Sequence, residues 1–234
     1  MARTRKPADH AARRTTILDA AERLLFERGY EQMTVQHLID TLGISKGAFY
    51  HYFASKQAVL EALVDRIATQ SENALLPMLD DPRLGAIAKL NRFFAATGRW
   101  KAARHDALVA YTRALYSDDN LRFRERLYSR ARKGIQTPLI RILAQGNREG
   151  SLKVANAEAS SEVVMALMID LSDSLSRLVL QPLEAGTRTH ARNRLVAYTE
   201  AIARALGAAE GSLVIMDAAA LTVWFGGRGK GNKA

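Results

Sequence analysis

The chain has no cysteine, which excludes disulfides, thiolate-bound zinc and thiol nucleophiles together. Proline occurs five times in 234 residues and aromatic residues make up only 7%. With Ala, Leu, Arg and Glu abundant, that composition favours an all-α protein over a sheet protein. Long apolar runs are missing too. The clearest uncharged block, Val163 to Ile169, is closed by Glu162 and Asp170 and falls far short of the roughly 20 residues that span a bilayer. No apolar segment follows the basic N-terminal residues to make a secretory signal, so a cytoplasmic location is expected and no membrane partner. The five histidines are scattered, without H-E-x-x-H spacing, a G-x-S-x-G elbow, a P-loop or a dinucleotide glycine fingerprint. No catalytic residue, metal site or cofactor is expected, and the chain does not read as an enzyme.

Lysine and arginine exceed the acids by 34 − 24 = +10, a balance that suits a polyanionic partner. The excess is unevenly placed. Residues 1–66 carry ten basic and eight acidic side chains, net +2, whereas residues 67–234 carry 24 and 16, net +8. Bulk charge therefore supports nucleic-acid binding only loosely, and a motif has to carry that reading.

The motif is Thr34 to Phe53, TVQHLIDTLGISKGAFYHYF. Thr34 is a good N-cap, and Val35, Leu38, Ile39 and Leu42 recur at helical spacing. Gly43 suits the left-handed residue that ends a helix. Ser45 can cap a second helix carrying Lys46, Gly47, Ala48, Phe49, Tyr50, His51 and Tyr52. Phe49 and Phe53 can anchor that helix inward, leaving small and polar residues outward, as a helix entering a DNA major groove requires. The spacing predicts a helix-turn-helix that reads double-stranded DNA. Thr34, Gln36, Ser45, Lys46, Gly47, Ala48, Tyr50, His51 and Lys56 are the expected contacts. Tyr52 reads equally well as a core residue.

Residues 14–66, with their ILDAA…LF…GY helix, G-I-S-K-G turn and Y-H-Y-F-x-S-K-Q-x-L junction, resemble the DNA-binding domain of TetR-family transcriptional regulators. Ile39 stands where that family usually has a small residue, and Ala48 where a hydroxyl residue is common. The resemblance implies an N-terminal three-helix DNA-binding domain and a helical second domain that binds a small effector and dimerises. It assigns Thr34, Tyr50 and Lys56 to phosphate contacts, which set register without carrying sequence information. It further implies a homodimeric repressor that leaves a palindromic operator when the effector binds.

The expected organisation is a basic arm over 1–12, a helix-turn-helix domain over 13–66, an effector and dimerisation domain over 67–225 and a disordered tail over 226–234. Helices are expected at Arg13–Arg28, Lys56–Leu76, Arg83–Arg99, His105–Tyr116, Asp119–Arg148, Ala157–Leu180, Thr187–Leu206 and Asp217–Trp224. Asp81 should cap the third of these with Pro82 first in the helix. Pro138 should kink or divide the helix that holds it. Helices 157–180 and 187–206 are the expected dimer surface. Phe93, Phe94, Trp100, Tyr111, Tyr116, Met165 and Met168, with Asp170 and Asp173 as polar members, are candidates for an effector pocket, each weighed against an ordinary core role. The cluster Arg122, Arg124, Arg126, Arg130, Arg132 and Lys133 reads by default as a solvated face. Two other readings stay open: nonspecific DNA compaction by distributed charge, and a small-molecule or enzymatic domain with a vestigial helix-turn-helix.

Overall fold

The computed structural model describes residues 7–225 apart from 118, 119, 183, 185 and 217. The expected arm residues Arg3, Arg5 and Lys6 and the tail 226–234 lie outside them. Among the described residues there is no strand. In order the helices are α1 (Pro7–Gln32), α2 (Val35–Leu42), α3 (Lys46–Tyr52), α4 (Lys56–Leu75), a 3-10 turn (Leu76–Asp80), α5 (Ala86–Ala102), α6 (His105–Leu115), α7 (Leu121–Glu149), α8 (Ala157–Leu180), α9 (Thr187–Leu206) and α10 (Ala218–Phe225).

Two helix starts differ from expectation for local reasons. Helix α1 begins at Pro7, so residues 7–12 belong to it and not to an arm. Proline lacks only an N–H that the first turn leaves unbonded anyway, and Asp9 in that turn complements the helix dipole. Helix α5 starts at Ala86, three residues later than expected, and Asp81 is not its cap. The Asp81 carboxylate accepts instead from the Arg83 backbone N–H at 3.1 Å and from the Arg92 side chain at 2.9 Å. The cap comes from α7, where Glu149 Oε2 accepts from the Ala86 N–H at 2.8 Å. Pro138 lies inside α7 without dividing it.

The chain forms two units. The first comprises Met1–Thr69 and Asp106–Leu127. Its core gathers Ile17, Leu24 and Leu25 of α1, Leu38 of α2, Phe49 of α3, Val59, Leu60 and Leu63 of α4, and Tyr111, Ala114 and Phe123 from α6 and the start of α7. Burial of that order on six helices is the main stabilising term. This division departs from the one expected from sequence, which placed residues 106–127 in the second domain. The reason is Tyr111, which is 3% exposed and donates its hydroxyl to Glu22 Oε1 at 2.7 Å. Arg66 on α4 binds the same Glu22 at 2.5 Å and Asp19 at 2.6 Å, so α1, α4 and α6 are tied at one point.

The second unit comprises Gln70–His105 and Tyr128–Ala234. One core joins Leu90, Phe93 and Phe94 of α5 to Leu139, Ile142 and Leu143 of α7, Val164 and Met165 of α8, and Ile202 and Leu206 of α9. A smaller core joins Leu171, Leu175, Ala191 and Leu195 to Leu221 and Phe225 of α10. Helices α4 and α7 each run without a break from one unit into the other.

Candidate DNA-binding site

Each end of the helix-turn-helix is fixed by a side chain or a backbone bond. Thr34 is extended (φ −121°, ψ 160°), and its hydroxyl accepts from the His37 N–H at 3.1 Å, capping α2. Gly43 adopts the left-handed conformation (φ 59°, ψ 35°) that a side chain would strain. It donates its N–H to Asp40, and Ile44 donates to Ile39, both at 3.3 Å, so the last carbonyls of α2 are satisfied. Ser45 caps α3 by accepting from the Ala48 N–H at 3.1 Å. The turn is therefore held by three local devices, all legible in the residue types.

Burial sorts α3 into two faces. Phe49 is fully buried and Phe53 nearly so, with their ring centroids 6.2 Å apart and the Arg14 guanidinium 4.9 Å from the Phe53 centroid. Ser45, Lys46, Gly47, Tyr50 and His51 are exposed, and Ala48 is half-buried. The Tyr50 ring stands edge-on to Phe49 at 5.4 Å, which aims its hydroxyl end outward from a fixed base. On α2, Thr34 and Gln36 are exposed, and Gln36 Nε2 donates to Asp40 at 2.7 Å. Ile39 is buried in the core between α1 and α2.

Lys56 makes contacts within its own domain. Its ammonium donates to the Tyr30 carbonyl at 3.0 Å and the Glu31 carbonyl at 3.5 Å and sits 4.2 Å above the Tyr30 ring. It closes the end of α1 beyond Gly29, where unpaired carbonyls attract a cation. Lys56 here positions the domain. Tyr52 is half-buried against the core, with the His10 ring 4.7 Å away. His10 also lies 5.6 Å from His51. Sequence reasoning missed His10 and Arg14 at this site, because both fall on an α1 stripe whose partner only the fold reveals. The Nδ1 of half-buried His37 finds no hydrogen-bond partner among the described residues.

The effector candidates separate between the units. Phe93 and Met168 line a small apolar cavity of about 10 Å³ with Leu90, Phe94, Leu139 and Ile142. Met165 is buried in the same core and Trp100 packs against it, with the Arg104 guanidinium 4.4 Å from the Trp100 ring. Tyr111 and Tyr116 belong to the first unit's core and are not among that cavity's lining residues. Asp170 is exposed and accepts from the Tyr198 hydroxyl. Asp173 accepts from the Tyr128 hydroxyl at 3.3 Å and from Arg177 at 2.8 Å. Three members of the arginine cluster have partners within the chain. Arg126 reaches Glu61 at 2.8 Å, Arg130 reaches Glu72 at 3.0 Å, and Arg124 covers Tyr116 at 4.4 Å. The Arg122 side chain lies outside the described residues.

Residues 17–63, which hold the whole capped turn, match the family described as bacterial regulatory proteins, tetR family. Over that stretch the chain resembles the TetR family. It is 37% identical over 109 residues to the HTH-type transcriptional regulator EthR of Mycobacterium tuberculosis, covering 43% of this chain and 48% of that protein. It is 38% identical over 74 residues to the HTH-type transcriptional repressor AcnR of Corynebacterium diphtheriae, covering 30% and 39%. The chain thus spans about half the length, or less, of these curated relatives, which are transcriptional regulators and not enzymes. The fold reaches further than the sequence match. A TetR-family regulator from Pectobacterium atrosepticum superposes with a TM-score of 0.61 at 16% identity, covering 86% of this chain and 98% of that one. A tetR-family protein from Rhodococcus gives 0.53 at 22% identity, covering 84% and 98%. Among the described residues no helix is long and apolar enough to cross a membrane.

Proposed function

We propose that the protein is a homodimeric transcriptional repressor that binds a palindromic DNA operator and leaves it when a small-molecule effector binds the second unit. The observation that carries this reading is the two-faced α3, with Phe49 wholly buried and Ser45, Lys46, Gly47, Tyr50 and His51 exposed around it. Glycine and alanine beside Lys46 let the helix backbone approach base edges closely, and the Ala48 methyl suits a thymine methyl. Lys46 reaches guanine acceptors or a phosphate, and Tyr50 and the Thr34 cap orient the helix through the phosphates. One such helix reads few base pairs, so a second copy is needed to read a second half-site.

The dimer surface in this reading is the outer side of α8 and α9. Val164, Leu171, Leu195 and Ile202 are buried within the unit, while Val163 at 51% and Val196 at 46% remain exposed. Exposed apolar side chains on adjacent helices suit an isologous four-helix contact. The effector acts through α4, which begins beside α3 and ends in the second unit. Operator and effector then oppose one another reciprocally. An effector that weakens DNA binding tenfold binds the DNA complex tenfold more weakly, a coupling of about 1.4 kcal/mol. Selection from random duplexes tests the reading. An inverted repeat should emerge, and recovery of sequences with no shared half-site would contradict it.

A further inference from the structure

His10 lies outside the helix-turn-helix in sequence but against it in space. It sits near the start of α1, half-buried, with its ring centroid 4.7 Å from that of Tyr52 and 5.6 Å from that of His51. The His51 and Tyr52 rings are themselves 5.1 Å apart. The three rings thus close a triangle that joins α1 to the last turn of α3. His51 is exposed and is one of the expected DNA contacts. Any duplex that reaches His51 comes within a ring's width of His10.

Ring packing alone does not call for two histidines, since Phe or Tyr would meet it as well. Among the described residues neither imidazole has a hydrogen-bond partner or an ion-paired carboxylate. The His10 nitrogens are not sealed away either, because the one buried side-chain nitrogen without a partner among the described residues belongs to His37. The charged neighbours along α1 are Asp9, Arg13 and Arg14, and the Arg14 guanidinium is drawn over Phe53. From α3 the rings are faced by the Tyr52 phenol, with Lys46 at the other end of that helix. Imidazole is the side chain that gains charge between pH 5 and 8. Two imidazolium rings this close repel one another in the free protein. A backbone phosphate offsets that repulsion and accepts from an imidazolium N–H.

We infer that His10 is a further DNA contact, which holds a backbone phosphate as a cation beside His51 at the end of α3. This rests on the DNA-binding reading above and adds to it a residue from α1 and a dependence on pH. Binding draws in protons, so affinity for DNA rises as pH falls through the imidazole range and fades as pH rises. The contact is with the backbone, so it strengthens binding without reading sequence.

The test is fluorescence anisotropy of the full chain with a selected inverted repeat and a scrambled duplex, at about pH 6 and about pH 8, each at two salt concentrations. The parent should bind about tenfold tighter at the lower pH, the scale of one charge-assisted contact. Its salt slope should steepen there by about 1, as one more neutralised phosphate requires. His10→Phe keeps a ring against Tyr52 and His51 but cannot charge, and it should lose most of that gain. His10→Lys, charged throughout, should bind at the higher pH nearly as the parent does at the lower. A parent indifferent to pH, a full gain in His10→Phe, or a His10→Lys chain no tighter than the parent at the higher pH would overturn the assignment. The scrambled duplex separates the two levels. A pH gain on both duplexes with no preference for the repeat upholds the phosphate contact and defeats the operator reading. A strong preference for the repeat with no pH gain does the reverse.

Discussion

Tyr111 donates its hydroxyl to Glu22 at 2.7 Å across 89 residues of sequence, while Arg66 holds the other carboxylate oxygen of Glu22 at 2.5 Å. This point fastens α6 to the helix that supports the DNA reader. Burial, reinforced by the neighbouring Glu22 carboxylate, raises the Tyr111 pKa above its ordinary value. Tyr111→Phe should cost about 1.5 kcal/mol in urea unfolding, the usual worth of a hydrogen bond to a charged group. The sign of its pH dependence follows. The folded state favours the protonated phenol, so the contribution is whole below the unfolded pKa near 10 and fades as pH rises beyond it. The Tyr111→Phe chain should therefore lose less stability than the parent between about pH 10 and 11.

Gly29 breaks α1 at φ 75° and ψ 166°, a region open essentially to glycine alone. A Cβ there would meet nothing within 4 Å, so any penalty comes from the backbone and not from crowding. Gly29→Ala should destabilise the protein by about 1–3 kcal/mol, measured by chemical denaturation. An unchanged midpoint would mean that α1 can continue through this position.

Glu149 should shape the acid limb of stability. Its carboxylate accepts from the Ala86 N–H and from Gln145, and those bonds outweigh burial in holding its pKa below the ordinary value. The folded state favours the ionised form, so the contribution is present above the unfolded pKa of about 4.3 and disappears as pH falls through the lower folded value. Glu149→Gln should be less stable than the parent at pH 7, and the gap should narrow towards about pH 3.

The dimer surface has its own test. Val163→Arg with Val196→Glu places charges on an apolar contact, and sedimentation should show a shift from dimer to monomer at micromolar protein. Both positions are exposed in one chain, so the monomer should stay helical by circular dichroism. A dimer that survives would place the contact elsewhere.

Much of the reader was legible before any coordinates. Thr34, Gly43 and Ser45 each hold the cap or turn that their chemistry implies, because those devices are local. The limits of α8 and α9 were equally readable from apolar spacing ended by Gln181 and Gly207. What the sequence hid depends on distant partners. Tyr111 and Tyr116 sit at helical spacing that fits either core, and only tertiary contact assigns α6 to the first unit. Lys56 also bonds the carbonyls of Tyr30 and Glu31, a contact that local spacing does not show. Asp81 resembles a cap, but Glu149 arrives from 63 residues away to bond Ala86.

The central claim is that exposed α3 reads DNA sequence by placed residues and not by bulk charge. Fluorescence anisotropy at two salt concentrations, with a selected inverted repeat and a scrambled duplex, tests it most directly. The parent should prefer the repeat by at least about a thousandfold at physiological salt. Lys46→Ala should weaken the repeat by about tenfold while hardly changing the scrambled duplex if it reads a base, or lower the salt slope by about 1 on both if it holds a phosphate. Equal affinity of the parent for the two duplexes, with Lys46→Ala indistinguishable from it, would contradict the account.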